Sequence, residues 1–250
     1  MSARVDMLWP RRGDDLRDEA VLTAYAPPAS EPSWLRMNFV ASLDGAATRE
    51  GRSGGLGGDA DRRVFELLRR WADAVLVGAG TVRAEGYGGM RVDEAAAAWR
   101  TAHGFAAQPV LALVSARLDL DPASAVFTVA PVRPVIYTVA SADPARRDAL
   151  AEVADVVVVG AAELDPVAVR ADLAARGLRR IHAEGGPGVF GSFLAAGVVD
   201  ELCLTLAPTL EAGSAERIAR TEHAVPTGMR LAGILRSADD ELLLRYRRVS

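Results

Sequence analysis

Two glycine-bearing stretches carry residue types suited to holding a phosphate. Gly78-Ala79-Gly80-Thr81 follows the apolar run Val75-Leu76-Val77 and leads on to Glu85. Glu184-Gly185-Gly186-Pro187-Gly188 follows Ile181-His182-Ala183 and leads into Val189-Phe190-Gly191. Small residues let a backbone approach a ligand closely, and a helix beginning at each turn presents unpaired N–H groups and a partial positive charge. Two such turns could grip one pyrophosphate from both sides; each taken singly could equally be plain turn chemistry. Neither completes G-x-G-x-x-G, and no acidic residue ends a second strand at the usual spacing, which disfavours a standard dinucleotide fold.

A third stretch, Asn38-Phe39-Val40-Ala41-Ser42-Leu43-Asp44-Gly45, reads as a strand that breaks at Asp-Gly. It is followed by the glycine-dense residues 49–58, either a mobile lid over a site or an unstructured connection. Asp44 could orient a substrate or a proton-donating water, or simply shape its turn. His182 and Glu184 mimic the H-x-E of zinc deaminases, but without a P-C-x-x-C partner the metal reading fails, and no metal is expected. Cys203 is the only cysteine, which excludes an internal disulfide, and its apolar alternation suggests a buried thiol. The chain contains no lysine, so Schiff-base catalysis and a Walker-type loop are excluded. No G-x-S-x-G is present to support a serine hydrolase.

These residues need a scaffold, and the chain supplies short apolar runs alternating with helical stretches, the pattern of an α/β domain. Strands are expected at 34–41, 74–78, 110–115, 135–138, 156–159, 180–183, 201–207 and 242–247. Helices are expected at 59–71 (with Asp59 as a possible N-cap), 81–85, 144–151, 166–176 and 187–196, with a further helical stretch at 93–100. Three of them open on proline near N1, where its missing N–H costs nothing. The last strands lack intervening helices and should form an antiparallel edge on a mixed, mostly parallel sheet. Residues 1–33 lack a clear period and read as a loosely packed extension before a single domain at 34–250.

The 250 residues are 50% hydrophobic, with a formal net charge of -4. That length supports a sizeable core, and the charge offers no field for a nucleic-acid backbone. Apolar runs fall far short of the roughly 20 residues that cross a bilayer. No secretory h-region is visible, so a cytoplasmic location away from membranes is the default expectation.

Four motifs occur in one order: Val40-Ala41-Ser42-Leu43-Asp44-Gly45, the run from Asp61 through Arg69, Gly80-Thr81-Val82-Arg83-Ala84-Glu85, and Glu184-Gly185-Gly186-Pro187 followed by Leu194 through Glu201. Together, over residues 34–249, they resemble the C-terminal reductase domain of the bifunctional riboflavin-biosynthesis deaminase/reductase and its stand-alone relatives. The resemblance implies a three-layer, dihydrofolate-reductase-like fold that binds NADPH across its strand ends and works as a homodimer. It implies hydride transfer to 5-amino-6-(5-phosphoribosylamino)uracil or a related pyrimidine ribosylamine. It also implies cofactor contacts at Ala41, Gly78, Gly80, Thr81, Glu85 and Ser115, and along Gly185, Gly186, Pro187, Gly188, Val189, Phe190 and Gly191. Ser53, Arg69 and Glu184 match positions that hold substrate.

These transfers make chemical sense. Arg69 offers a planar donor fork for a phosphate, although beside Arg70 it could be a solvated helix charge. Ser115 and Arg117 could take the adenosine 2′-phosphate. Glu184 could instead cap the helix starting at Pro187. Residues 86–108 depart from the family pattern where a second phosphate-binding arginine belongs, and Arg91 is the candidate there. These residues match no deaminase domain, so only the reductive step is expected of them. One rival is a pterin reductase, favoured if Asp61 points into the pocket rather than capping its helix; another is a protein that binds NADPH without catalysis.

Overall fold

The computed structural model describes residues 3–249. Ten strands, β1 (Val5–Trp9), β2 (Trp34–Ser42), β3 (Ala74–Gly78), β4 (Val110–Val114), β5 (Val135–Thr138), β6 (Asp155–Val158), β7 (Arg180–Ala183), β8 (Glu201–Ala207), β9 (Met229–Ser237) and β10 (Leu242–Arg248), form one sheet. Its order is β1-β9-β10-β8-β2-β7-β3-β4-β5-β6. From β8 to β6 every pairing is parallel, whereas β8-β10, β10-β9 and β9-β1 are antiparallel, giving the mixed and mostly parallel sheet expected.

Eight helices cover the sheet: α1 (Asp18–Ala24), α2 (Asp59–Arg70), α3 (Ala79–Glu85), α4 (Glu94–Ala102), α5 (Ala125–Thr128), α6 (Pro144–Ala151), α7 (Pro166–Ala175) and α8 (Pro187–Ala195). Strand side chains alternate between faces. Leu76, Ala112 and Tyr137 therefore pack under α7 and α8 with Val169, Leu173 and Phe193, while Val77, Leu113 and Ile136 meet Val82 of α3 and Leu150 of α6 on the other face. Helices on both faces make three layers. Among the described residues no helix is long and apolar enough to cross a membrane.

Helix starts divide into two kinds. Asp143 and Asp165 cap α6 and α7, accepting from Ala145 N (2.9 Å) and from Val167 N and Ala168 N (2.9 and 3.1 Å). By contrast α3 and α8 begin at Gly78 and Gly186, with no side chain closing their first turns. Their leading N–H groups remain free for another acceptor. Helix α2 likewise starts at Gly58, which corrects the assignment of Asp59 as its cap; Asp59 is instead its first residue and pairs with Arg62.

Residues 3–33 are not a loosely packed extension. Strand β1 closes the edge of the sheet against β9, and Val5, Val21, Leu22 and Tyr25 are buried with Leu67, Leu68 and Leu235. Their register lies in partners more than 200 residues away, so local periodicity does not show it. Strand β9 is missed for a related reason: Gly233 and two arginines interrupt its apolar alternation, and a bulge shifts its pairing with β10.

Candidate active site

Strands β7 and β3 are parallel neighbours, with Leu76 opposite Ala183, so the turns that end them must lie side by side. Glu184 N donates to Leu76 O (2.9 Å) and Gly78 N to Gly185 O (2.8 Å), joining the two turns through backbone. Glycine is required by this approach. A Cβ on Gly186 would stand 2.7 Å from Thr81 Oγ1, and one on Gly78 would meet Val189 Cγ2 at 3.0 Å and Gly186 N at 3.3 Å. Gly185 has a φ of +122°, a conformation open essentially only to glycine. From adjacent strands α3 and α8 then depart to opposite faces of the sheet, opening a crevice between their uncapped starts. A stack of Phe39 on Phe190, centroids 5.1 Å apart, holds α8 against β2 and contributes about 0.5–1.5 kcal/mol beyond area burial.

The crevice widens into a cleft of about 990 Å³. Its wall contains Gly78, Gly80, Thr81, Glu85 and Gly185 through Val189 together with Ser53, Asp61, Arg69, Arg91 and Glu184. Residues expected from separate motifs are thus brought together. Six are not part of this wall. Ala41 is buried within β2, Phe190 faces the core, and Gly191 lies so close to the carbonyl of Arg220 that a Cβ would stand 1.9 Å from it. Ser115 and Arg117 follow β4, with the Ser115 N–H spent on Tyr137 O (3.0 Å) and Arg117 exposed. Asp44, the candidate catalytic group, sits outside the cleft: its carboxylate accepts from the Ser42 hydroxyl and from Ala212 N and Glu211 N (2.6 and 3.1 Å). Those donors hold it at about 2, as suits a charged turn anchor rather than a proton carrier.

Arg69 and Glu184 face each other. Arg69 Nε and Nη2 donate to the two carboxylate oxygens at 2.6 and 2.8 Å, the guanidinium lies 4.4 Å from the Phe65 ring centroid, and Tyr87 donates its hydroxyl to Glu184 Oε2 at 2.9 Å. Burial works to raise the Glu184 carboxyl, but the Arg69 charge and these donors outweigh it and keep it below its ordinary value. Glu184 therefore does not cap α8; its side chain is wholly buried, and it orients Arg69, whose Nη1 edge is left for a ligand. Behind the pair, burial pushes the His182 imidazole down to about 4, so it is neutral, and neither ring nitrogen has a partner.

The glycine-dense segment forms a wall. Ser53 donates both N–H (2.7 Å) and Oγ–H (2.9 Å) to Glu85 Oε1, and Gly58 N donates to Glu241 Oε1 (2.6 Å). Asp61 does point into the cleft. Burial raises its carboxyl, with Glu241 adding to the rise and a Thr205 hydrogen bond opposing it. Tyr87 was given no role by sequence reasoning; it sits in the divergent segment, just past the left-handed Gly86 that ends α3. Glu216 and Arg220, also in the wall, come from the irregular stretch between β8 and β9, where no periodicity could flag them.

Comparison with known proteins agrees with this architecture. The sequence model of the family described as the RibD C-terminal domain matches residues 33–243. The riboflavin biosynthesis protein RibD of Bacillus amyloliquefaciens is 31% identical over 186 residues, covering 72% of this chain and 47% of that protein, so the chain spans about half of that relative's length. The 2,5-diamino-6-ribosylamino-4(3H)-pyrimidinone 5′-phosphate reductase of Methanothermobacter thermautotrophicus is 32% identical over 189 residues, covering 75% of this chain and 82% of that one. The crystal structure of a pyrimidine reductase-like protein from Corynebacterium diphtheriae superposes with a TM-score of 0.85 at 29% identity, covering 94% of this chain and 100% of the other.

Proposed function

The chain belongs to the RibD C-terminal domain family, and we propose that it is an NADPH-dependent reductase of a phosphorylated pyrimidine ribosylamine. The observation that carries this reading is the contact of the two glycine turns at the head of a cleft that continues to Arg69 and Asp61. The close contact of the turns at Gly78 and Gly186 brings two uncapped helix starts to one cleft, which suits a pyrophosphate. NADPH, when bound, supplies the hydride. The backbone N–H groups of Gly80, Thr81, Gly186 and Gly188 would hold its diphosphate; Pro187 has none to give. Ser115 and Arg117, past the end of β4, are the candidates for the adenosine 2′-phosphate.

Arg69, fixed by Glu184, which Tyr87 also holds, would offer its outer edge to the substrate phosphate, with Ser53 and Arg91 in the same cleft wall. Holding both partners in one cleft would remove much of the entropic cost of bringing them together. Asp61 favours a particular base. An ionised carboxylate can accept from the N–H and amino group of a 2-aminopyrimidinone, whereas uracil turns a carbonyl oxygen toward it. The 2,5-diamino-6-ribosylamino-4(3H)-pyrimidinone 5′-phosphate named for the archaeal relative therefore suits this wall better than the uracil compound. Dihydrofolate shares the 2-amino edge, so the position of Asp61 also gives the pterin reading its one structural support. The same proposal includes a homodimer and a cytoplasmic enzyme.

The test is NADPH oxidation with the diaminopyrimidinone phosphate, the uracil phosphate and dihydrofolate. Highest kcat/KM is expected for the first, and Asp61→Asn should narrow its lead over the uracil compound by about tenfold, the worth of one charge-assisted pair. A protein that binds NADPH and reduces none of the three overturns the catalytic reading; dihydrofolate as the best substrate overturns the choice of base.

A further inference from the structure

At the opposite end of the strands from the cleft, a row of charges crosses the sheet. Arg36 of β2 pairs in register with Glu201 of β8, and Glu201 with Arg247 of β10; Arg245 lies two residues along the same strand. Glu201 is wholly buried and serves all three arginines: it accepts from Arg36 Nε at 2.6 Å and Arg245 Nη2 at 2.9 Å, and lies 3.5 Å from Arg247 Nε. Among the described residues no other carboxylate pairs with these guanidiniums. Three cations against one anion leave an excess of two positive charges, with Arg36 and Arg245 buried and Arg247 partly exposed, and the buried share is costly without a counter-ion. Backbone carbonyls of Ala24, Tyr25 and Ala26 absorb part of the donor capacity. Nε of Arg245 is nevertheless buried without any acceptor, Nε of Arg247 has only the 3.5 Å contact to Glu201, which does not meet hydrogen-bond geometry, and Arg245 is only 5% exposed.

Both arginines line a cavity of about 660 Å³ formed by β1, β9, β10 and the end of α1, with Arg11, Arg230 and Arg248 also in its wall and no acidic residue among the lining. It shares no residue with the catalytic cleft. We propose that this cavity is a second ligand site, taking a compact phosphate-bearing anion with at least two negative charges. A dianionic phosphoryl group offsets the whole excess at one point and matches the guanidinium forks, whereas a single carboxylate offsets half of it.

Calorimetric titration of the full chain with pyrophosphate at constant ionic strength tests the site. Binding should persist in Gly186→Ala, which alters only the cleft. In Arg230→Gln/Arg247→Gln, whose partly or fully exposed side chains keep the fold at lower risk than a change at Arg245, it should weaken at least about tenfold for two lost charge-assisted contacts. Thermal melts of the same variants report that both remain folded. Three outcomes overturn the proposal: wild-type protein that takes up no pyrophosphate, equal affinity in the double variant, or binding abolished by Gly186→Ala alone. If pyrophosphate is not taken up and sedimentation shows the double variant monomeric where the wild type is dimeric, the arginine row is matched by a carboxylate of a second copy.

Discussion

Replacing Gly186 by alanine should reveal how tightly the two turns are fitted. The new Cβ would lie 2.7 Å from Thr81 Oγ1, where ordinary contacts begin near 3.4 Å, so one turn must retreat by several tenths of an ångström or Thr81 must change rotamer. Threonine is stiff about χ1, and within α3 its alternatives are few. The turns are also tied by the Gly78 N–Gly185 O bond, so displacement of one drags the other. Overpacking of this kind costs about 1–3 kcal/mol. If it falls wholly on the bound state, NADPH affinity drops about 5- to 150-fold. Fluorescence titration of NADPH into wild type, Gly186→Ala, Thr81→Ala and the double variant closes a cycle. Because Thr81→Ala removes the clashing hydroxyl, the double variant should bind more tightly than the two single losses predict, with a coupling of about 0.5–3 kcal/mol. Additive losses would refute the steric argument, and unchanged affinity in Gly186→Ala would refute the placement of the diphosphate.

Other consequences concern pH and Asp44. His182 is held neutral down to about 4 in the folded chain against an ordinary 6.5, so the unfolded chain binds the extra proton first. Stability should therefore be complete above pH 6.5 and be lost progressively as pH falls from 6.5 toward 4, by roughly 3 kcal/mol at about 1.4 kcal/mol per unit. Urea denaturation of His182→Leu across that range should lack this component; an identical slope in both proteins would contradict it. Asp44→Asn should leave kcat within a few-fold of wild type, because the carboxylate anchors Ala212 and Glu211 instead of facing the cleft. A loss of kcat of about a hundredfold or more with native stability would restore a catalytic role.

The sequence by itself determined the parallel strands and most of the helices that cover them, because strands such as β3, β4 and β5 are buried on both faces and read as short apolar runs; the single-turn α5 and the exposed edge β6 carry weaker signals. It also marked both glycine turns, where a Cβ would crowd Thr81 Oγ1 at Gly186 (2.7 Å) and Val189 Cγ2 at Gly78 (3.0 Å). Pairing of distant charges was decided only by the tertiary structure. Arg69 and Glu184 stand 115 positions apart and were read as two separate substrate contacts, yet folding places them in one bidentate ion pair with Tyr87 against it. The edge strand β1 and its neighbour β9, and the arginine row around Glu201, were hidden for the same reason: a strand's register and a buried charge's partner are properties of neighbours across the sheet, which local periodicity does not encode.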